Sequence, residues 1–421
     1  ALFVSALAVL ALSCAGTPRK PQVSGESDHK PSAVLLISLD GVGWDYLDRF
    51  EPPNLIALAE NGVRAEGLKP VFPTKTFPNH FTIVTGLYPE DHGIVSNNMY
   101  DPDRRAYFRP SDSSAVTDPV WWQGEPIWVT AENQGRVAAT YFWPGSEAPI
   151  EGVLPSYYVP FDQDVPPVER ANQVLRWLDL PIDRRPAFIS LYFGHTDRAG
   201  HRYGVDDPRT AESVREIDGV LGQLFAGLRT RGLFEHINII VVSDHGMTDL
   251  SPDRVIFLDD YLGPDDAEVI DWSPVLALRP KSLSLDSLFR RLSDAHPNLA
   301  VYRREELPSR LHYSDHPRIA PLIGIADEGW SIGRRSRFDE RYYQGANHGY
   351  DNALESMQGI LVAHGPAFER GKRIPSVENI HLYELMADIL GVEPAPNDGS
   401  LAASASMRRE GTSRGKISGM R

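Results

Sequence analysis

Two stretches of this chain are apolar from end to end and stop on an acid. Ala33-Val34-Leu35-Leu36-Ile37-Ser38-Leu39 runs into Asp40-Gly41, and Ile237-Asn238-Ile239-Ile240-Val241-Val242 runs into Ser243-Asp244-His245-Gly246. Such runs leave no face for water. They must be covered on both sides, which is the condition of a parallel strand inside an α/β sheet. Further strand patterns at residues 136–142, 187–193 and 359–363 alternate with helical patterns at 54–62, 168–178, 210–228 and 379–390. This alternation predicts an α/β fold with a mostly parallel central sheet and helices on both faces. From about residue 254 to 333 the pattern breaks into short strand-like runs around one helix near Leu285, Phe289 and Leu292, which predicts a small inserted α+β subdomain. There is no internal repeat.

With 421 residues and 42% hydrophobic content the chain can bury a substantial core, and the main domain is expected over 33–400. Residues 1–13 are apolar and too short to span a membrane comfortably, as in a signal-peptide core, although the usual Met and basic start are missing. Ala11-Leu12-Ser13-Cys14-Ala15-Gly16 resembles a bacterial lipoprotein signal, so the expectation is export to a bacterial periplasm or cell envelope with Cys14 as a possible lipid attachment point. Residues 15–32 are expected to be a linker, and 401–421, small, polar and basic, a disordered tail. Cys14 is the sole cysteine, so an internal disulfide and every thiolate metal site are excluded. A formal net charge of −15 argues against binding a nucleic-acid polymer, whose affinity comes from a basic face. A small anionic substrate remains compatible if metal ions supply local positive charge.

Acids and histidines gather at four places beyond the expected strands: Asp40; Asp197 with His201, one helical turn apart; Asp244 with His245; and His348. Each alone has an ordinary explanation as a cap, a chance pair or a core histidine. Together, three aspartates and three histidines without thiols suit zinc or another borderline divalent ion better than calcium. Six ligands are enough for two ions with three protein ligands each, and paired ions favour in-line phosphoryl displacement.

The stretch Pro73-Thr74-Lys75-Thr76-Phe77-Pro78-Asn79-His80 supplies a candidate nucleophile. Pro78 suits a first helical position, which puts Thr76 at the mouth of a helix, where free N–H groups and the helix dipole favour an anion. A threonine hydroxyl needs a base or metal to react at neutral pH.

These motifs resemble a known family. Leu39-Asp40-Gly41, the Pro73 to His80 stretch, His92-Gly93-Ile94-Val95-Ser96-Asn97, Phe142-Trp143-Pro144-Gly145-Ser146, Asp197-Arg198-Ala199-Gly200-His201, Ser243-Asp244-His245-Gly246 and Asn347-His348-Gly349-Tyr350-Asp351-Asn352 are similar to the nucleotide pyrophosphatase/phosphodiesterases of the alkaline phosphatase superfamily. With the leader, this suggests a bacterial member. The resemblance implies a two-zinc phosphodiesterase that works through a covalent Thr76 intermediate and releases nucleoside 5′-monophosphates. It implies that Asp40, Asp244 and His245 hold the zinc that activates Thr76, and that Asp197, His201 and His348 hold the second. Asn97 and the Phe77 N–H would contact a phosphate oxygen, Phe77 and Tyr158 would stack on the base, and Tyr192 would stand near the pocket. Gly194-His195-Thr196 and Ser96 depart from the family pattern, and His195, His80 and His92 are read as non-ligands. The alternatives are a choline-phosphate or lysophospholipid phosphodiesterase on the same metal core, and a non-catalytic envelope lipoprotein. A phosphomonoesterase is disfavoured because no arginine stands beside Thr76.

Overall fold

The fold is seen in a computed structural model, which describes residues 32–409. The leader, Cys14, the linker up to residue 31 and residues 410–421 lie outside the described residues. The central sheet has eight strands: β1 (Ala33–Leu39), β2 (Val63–Ala65), β3 (Ala138–Tyr141), β4 (Tyr157–Val159), β5 (Phe188–Phe193), β6 (Ile237–Val242), β7 (Leu361–His364) and β8 (Lys372–Ile374), in the order β8-β2-β7-β6-β1-β5-β3-β4. The block from β6 to β4 is parallel, and β7 runs antiparallel to β6 and β2.

The end-to-end apolar runs divide by residue parity. Val34 and Leu36 of β1 point into one buried cluster, whereas Leu35, Ile37 and Leu39 point into a second on the opposite face. The first face is covered by helices α2 (Thr76–Thr85), α3 (Ile127–Asn133) and α8 (Leu382–Leu390). The second is covered by α1 (Pro53–Glu60), α4 (Pro167–Leu178) and α6 (Pro208–Thr230). Between them in sequence come α5 (His195–Tyr203) and α7 (Leu285–Leu292). Asn238, a polar residue in fully buried β6, is accommodated because its side chain bonds Ser32, the Ala33 carbonyl and the Ala367 N–H.

The inserted segment forms a four-stranded antiparallel sheet of Ala267–Asp271, Val275–Pro280, Leu322–Ala326 and Leu299–Arg303, in that spatial order. Leu276, Leu278 and Leu322 pack under α7 in a separate cluster, while Val275, Ile323 and Ile325 join the main core. The subdomain is therefore welded to the main core through alternate residues of its own strands. Residues 401–407, expected within a disordered tail, instead form a 3-10 helix that buries Met407 in the main core. Burial of Met407 and Ser404 and the ion pair of Arg408 with Asp388 hold this end in place.

The amino end of α1 is capped from a distant helix. Asp218 of α6 accepts the Leu55 N–H at 2.8 Å, the Asn54 N–H at 3.1 Å and the Asn54 amide at 2.8 Å, and is itself buried. Asp218→Ala would leave these donors unpaired, so a loss of about 2–3 kcal/mol is expected in denaturant unfolding.

Candidate metal and nucleophile site

Every acid singled out in the sequence lies just beyond the carboxyl end of a parallel strand, the place where open α/β sheets bind ligands. Asp40 follows β1, Asp197 lies on α5 directly after β5, and Asp244 and His245 follow β6. Gly41 has φ +71°, and a Cβ there would lie 2.8 Å from the Asp197 Cα, so only glycine lets these two loops approach. Ser243 Oγ accepts the Val42 N–H at 2.9 Å and donates to the His245 carbonyl at 2.7 Å, tying the first and third loops together.

The six side chains converge. Asp40, Asp244 and His245 present ligand atoms all within 4.8 Å of one another, and so do Asp197, His245 and His348. His201 lies outside both groupings, but its Nε2 is 3.3 Å from Asp197 Oδ1, and its ring centroid is 5.0 Å from that of His348. His245 stacks on His348 with centroids 3.6 Å apart.

The proton positions follow from the partners. His201 Nδ1 faces the Ala346 carbonyl at 2.9 Å, His245 Nδ1 the Gly246 carbonyl at 3.1 Å, and His348 Nδ1 the Thr74 carbonyl at 2.8 Å. A carbonyl only accepts, so each Nδ1 carries a proton. In the neutral ring Nε2 then turns a lone pair toward the carboxylates, while at His201, where burial lowers the pKa, the neighbouring Asp197 overcomes that and shifts the ring toward the charged form. Asp40 Oδ1, Asp197 Oδ1 and Asp244 Oδ2 are buried with no hydrogen-bond donor. Burial, with repulsion from Asp244 and Asp197, pushes the Asp40 carboxyl well above its usual range, and burial with His245 nearby keeps His348 neutral well below pH 6.5. Lone pairs facing lone pairs in a buried cluster are the donor set of a cation site, and the chemistry fits a borderline divalent ion.

Thr76 stands at this cluster, its Oγ1 3.4 Å from His245 Nε2. Helix α2 begins at Thr76 rather than at Pro78 as the sequence suggested, because buried Asn79 pins the incoming loop: Oδ1 accepts the Val71 N–H, and Nδ2 donates to the Pro73 and Lys75 carbonyls. Pro78 then occupies the third helical position, where its missing N–H has no intrahelical partner to lose. Residues 78–85 are all buried, so Thr76 sits on a helix with no freedom to slide. The Phe77 N–H donates to Asn97 Oδ1 at 2.9 Å, so in this structure the two groups expected to bind phosphate hold each other. That bond leaves the Asn97 Nδ2 as the free donor.

Tyr192, read as a pocket residue, donates its hydroxyl to Asp40 Oδ2 at 2.6 Å and thereby orients a candidate ligand. Phe77 is half-buried against the rings of Phe108 and Trp122. Tyr158 lies on edge strand β4 beside Thr140 of β3. Phe161, beyond the end of β4 and more than half exposed, has its ring 6.4 Å from that of Tyr192, a contact that sequence reasoning passed over. His80 is no candidate ligand, yet it touches the cluster: Nδ1 bonds the Thr76 carbonyl at 2.8 Å and lies 3.3 Å from Asp244 Oδ2. His92 bonds Thr82 and the Ile94 N–H, and burial pushes it down to about 3. His195 belongs to neither grouping.

Residues 34–351 match the family described as Type I phosphodiesterase / nucleotide pyrophosphatase. A Bos taurus protein named bis(5′-adenosyl)-triphosphatase ENPP4 is 41% identical over 377 residues, which cover 89% of this chain and 81% of that protein. The Homo sapiens protein of the same name is 40% identical over 382 residues, covering 90% and 82%. Among solved structures, murine ectonucleotide pyrophosphatase/phosphodiesterase 5, in an inactive form in complex with AMP, superposes with a TM-score of 0.86 at 37% identity over 90% of this chain and 100% of that one.

His245 is shared by both three-residue groupings, whereas His201 touches one acid only. His245→Ala is therefore expected to lower retained divalent metal further than His201→Ala, read by elemental analysis of dialysed protein.

Proposed function

The chain belongs to the type I phosphodiesterase / nucleotide pyrophosphatase family of hydrolases, and from that premise we propose that it cleaves nucleotide phosphodiester or pyrophosphate bonds through Thr76, releasing nucleoside 5′-monophosphates. The observation that supports this most directly is a half-buried hydroxyl at the first position of a helix, 3.4 Å from the imidazole that both candidate metal groupings share.

In this reading Asp40, Asp244, His245 and Thr76 hold one zinc, and Asp197, His201 and His348 the other. When bound, the ions supply the positive charge that makes a threonine oxygen nucleophilic near neutral pH and that stabilises phosphoryl oxygens in the transition state. The chain's own residues do the rest. Thr76 Oγ forms a bond to phosphorus as the bond to the leaving oxygen breaks in line, giving a nucleotidyl-threonine. Water then cleaves the new bond and returns the hydroxyl. Asn97 Nδ2 and the amino end of α2 face the phosphoryl oxygens. Tyr192 and the backbone carbonyls behind the three imidazoles keep the acids and rings from turning, so little reorganisation is needed as charge develops.

A nucleotide is favoured over a choline ester because the murine relative was solved with AMP and the bovine and human relatives are named for a dinucleoside triphosphate. Aromatic surface beside the cluster supports the same choice, and we assign the base contact to Phe77 and Phe161 rather than to Tyr158. Nitrophenyl-TMP is expected to turn over faster than nitrophenyl-phosphocholine, and preference for the choline ester would reverse the assignment. Phe161→Ala should raise KM for nitrophenyl-TMP more than Tyr158→Ala does. Thr76→Ala is expected to lower kcat by at least about 10³-fold with retained metal near wild type. Wild-type turnover in that variant removes the nucleophile role, and activity that survives chelation of metal removes the metal role.

Export and lipid attachment at Cys14 rest on the leader alone, and the relatives named above are animal proteins, which lend no support to a bacterial source. If the lipid reading holds, Cys14→Ser moves the full chain from the membrane fraction to the soluble fraction. No helix among the described residues is long and apolar enough to cross a membrane.

A further inference from the structure

We propose that Asp271, contributed by the inserted subdomain, is a positioning residue for the phosphate-binding corner formed by Phe77 and Asn97; this rests on the reading of Thr76 as the nucleophile. Asp271 ends the strand Ala267–Asp271, at a point where the ladder to its neighbour slips register between Val269 and Asp271. A slip of this kind re-aims a side chain. Here it turns the carboxylate out of the subdomain and into the catalytic domain.

That carboxylate has four donors. Lys75 Nζ and Ser96 Oγ both lie 2.5 Å from Oδ2, while Asn98 Nδ2 at 3.3 Å and the Trp272 N–H at 3.0 Å reach Oδ1. The Lys75 and Asp271 side chains are each under a tenth exposed. With every lone-pair direction engaged, Asp271 has no capacity left for substrate and acts through the groups it holds. Those groups bracket the corner. Lys75 caps α2 and precedes Thr76, and Ser96 and Asn98 stand on either side of Asn97, whose Oδ1 takes the Phe77 N–H. One carboxylate thus grips both halves of the Asn97–Phe77 contact. The grip extends to the cluster: Gly349, at φ +108°, would place a Cβ 3.1 Å from Lys75 Cε and 2.8 Å from Pro274 Cδ. Gly349 follows His348, and its N–H bonds Thr74 Oγ1 at 2.9 Å while the Thr74 carbonyl orients the His348 ring. Subdomain, nucleophile loop and candidate ligand therefore pack as one layer.

A buried ion pair is a poor source of net stability compared with apolar packing, so stability alone is a weak reason for joining residues 196 apart in this way. Geometry at the reacting centre is a stronger one, since a shift of about 1 Å can cost about 100-fold in rate.

The test relocates the carboxylate. Ser96 Oγ already touches Asp271 Oδ2, so an acid at position 96 falls within reach of Lys75. Asp271→Asn is expected to lower kcat for nitrophenyl-TMP by about 10- to 100-fold, with KM changed less than about threefold and retained metal unchanged. It should also speed amide hydrogen exchange at Phe77. The double variant Ser96→Asp/Asp271→Asn should recover kcat to within about fivefold of wild type and slow that exchange again. The proposal is overturned by folded Asp271→Asn with wild-type kcat and Phe77 exchange, or by a double variant that regains the melting temperature without regaining kcat. Failure of both variants to fold also overturns it, since the pair is then a stability element. A wild-type chain that turns over no nucleotide ester counts against the functional reading instead, and Phe77 exchange in the variants still decides the role of Asp271.

Discussion

Asp40, Asp197 and Asp244 are gathered in one buried place, where Asp244 and Asp197 repel the charge on Asp40, and the structure is arranged to tolerate that repulsion. Asp40, Asp197 and Asp244 each leave one oxygen without a donor, and His245 and His348 turn their protonated Nδ1 away from the acids onto backbone carbonyls. In water such groups would separate or take up protons. Here their backbones are fixed at the ends of adjacent parallel strands, β5, β1 and β6, whose side chains are sealed on both faces. The sheet supplies the rigidity, and a cation removes the cost. Divalent metal should thus be coupled to folding free energy as well as to chemistry.

The parallel strands and their acids were legible because both signals are one-dimensional. A run without polar alternation can only be doubly covered, and an acid at its end is placed by the run itself. Thr76 was legible through its Thr/Pro/Asn context, although the helix starts two residues before the position Pro78 suggested. The reason is Asn79, whose buried amide pulls the loop into the helix, and no local pattern announces where a buried amide will find its carbonyls.

What stayed hidden depends on contacts between distant parts of the chain. Asp271 meets Lys75 across 196 residues, and in sequence it is an unremarked acid in an apolar strand of an insertion. The one local hint was Ser96, which departs from the pattern of the resembled family. Tyr192 was noticed as an aromatic, and nothing in the sequence signals that its hydroxyl also holds Asp40. Phe161 was passed over because no local pattern marks it, and its contact with the Tyr192 ring depends on how the chain leaves β4. Of the expected tail, residues 401–407 are ordered, with Ser404 and Met407 buried, and the remainder from residue 410 lies outside the described residues.

The chain carries a strong negative charge yet is read as acting on an anion, and the placement of its charges reconciles the two. Metal at the strand ends would reverse the sign of the potential over a few ångströms, a distance short compared with the roughly 8–10 Å over which salt screens surface acids. The amino end of α2 adds its dipole at the same point, and Lys75, the nearest cation on the chain to Thr76, is neutralised by Asp271 rather than left facing the substrate. A bare ammonium there would attract phosphate but would compete with the cations for its oxygens. Pairing it inward turns a charge into a strut, so that attraction comes from groups aimed at phosphorus and the rest of the loop is free to do nothing but stay still.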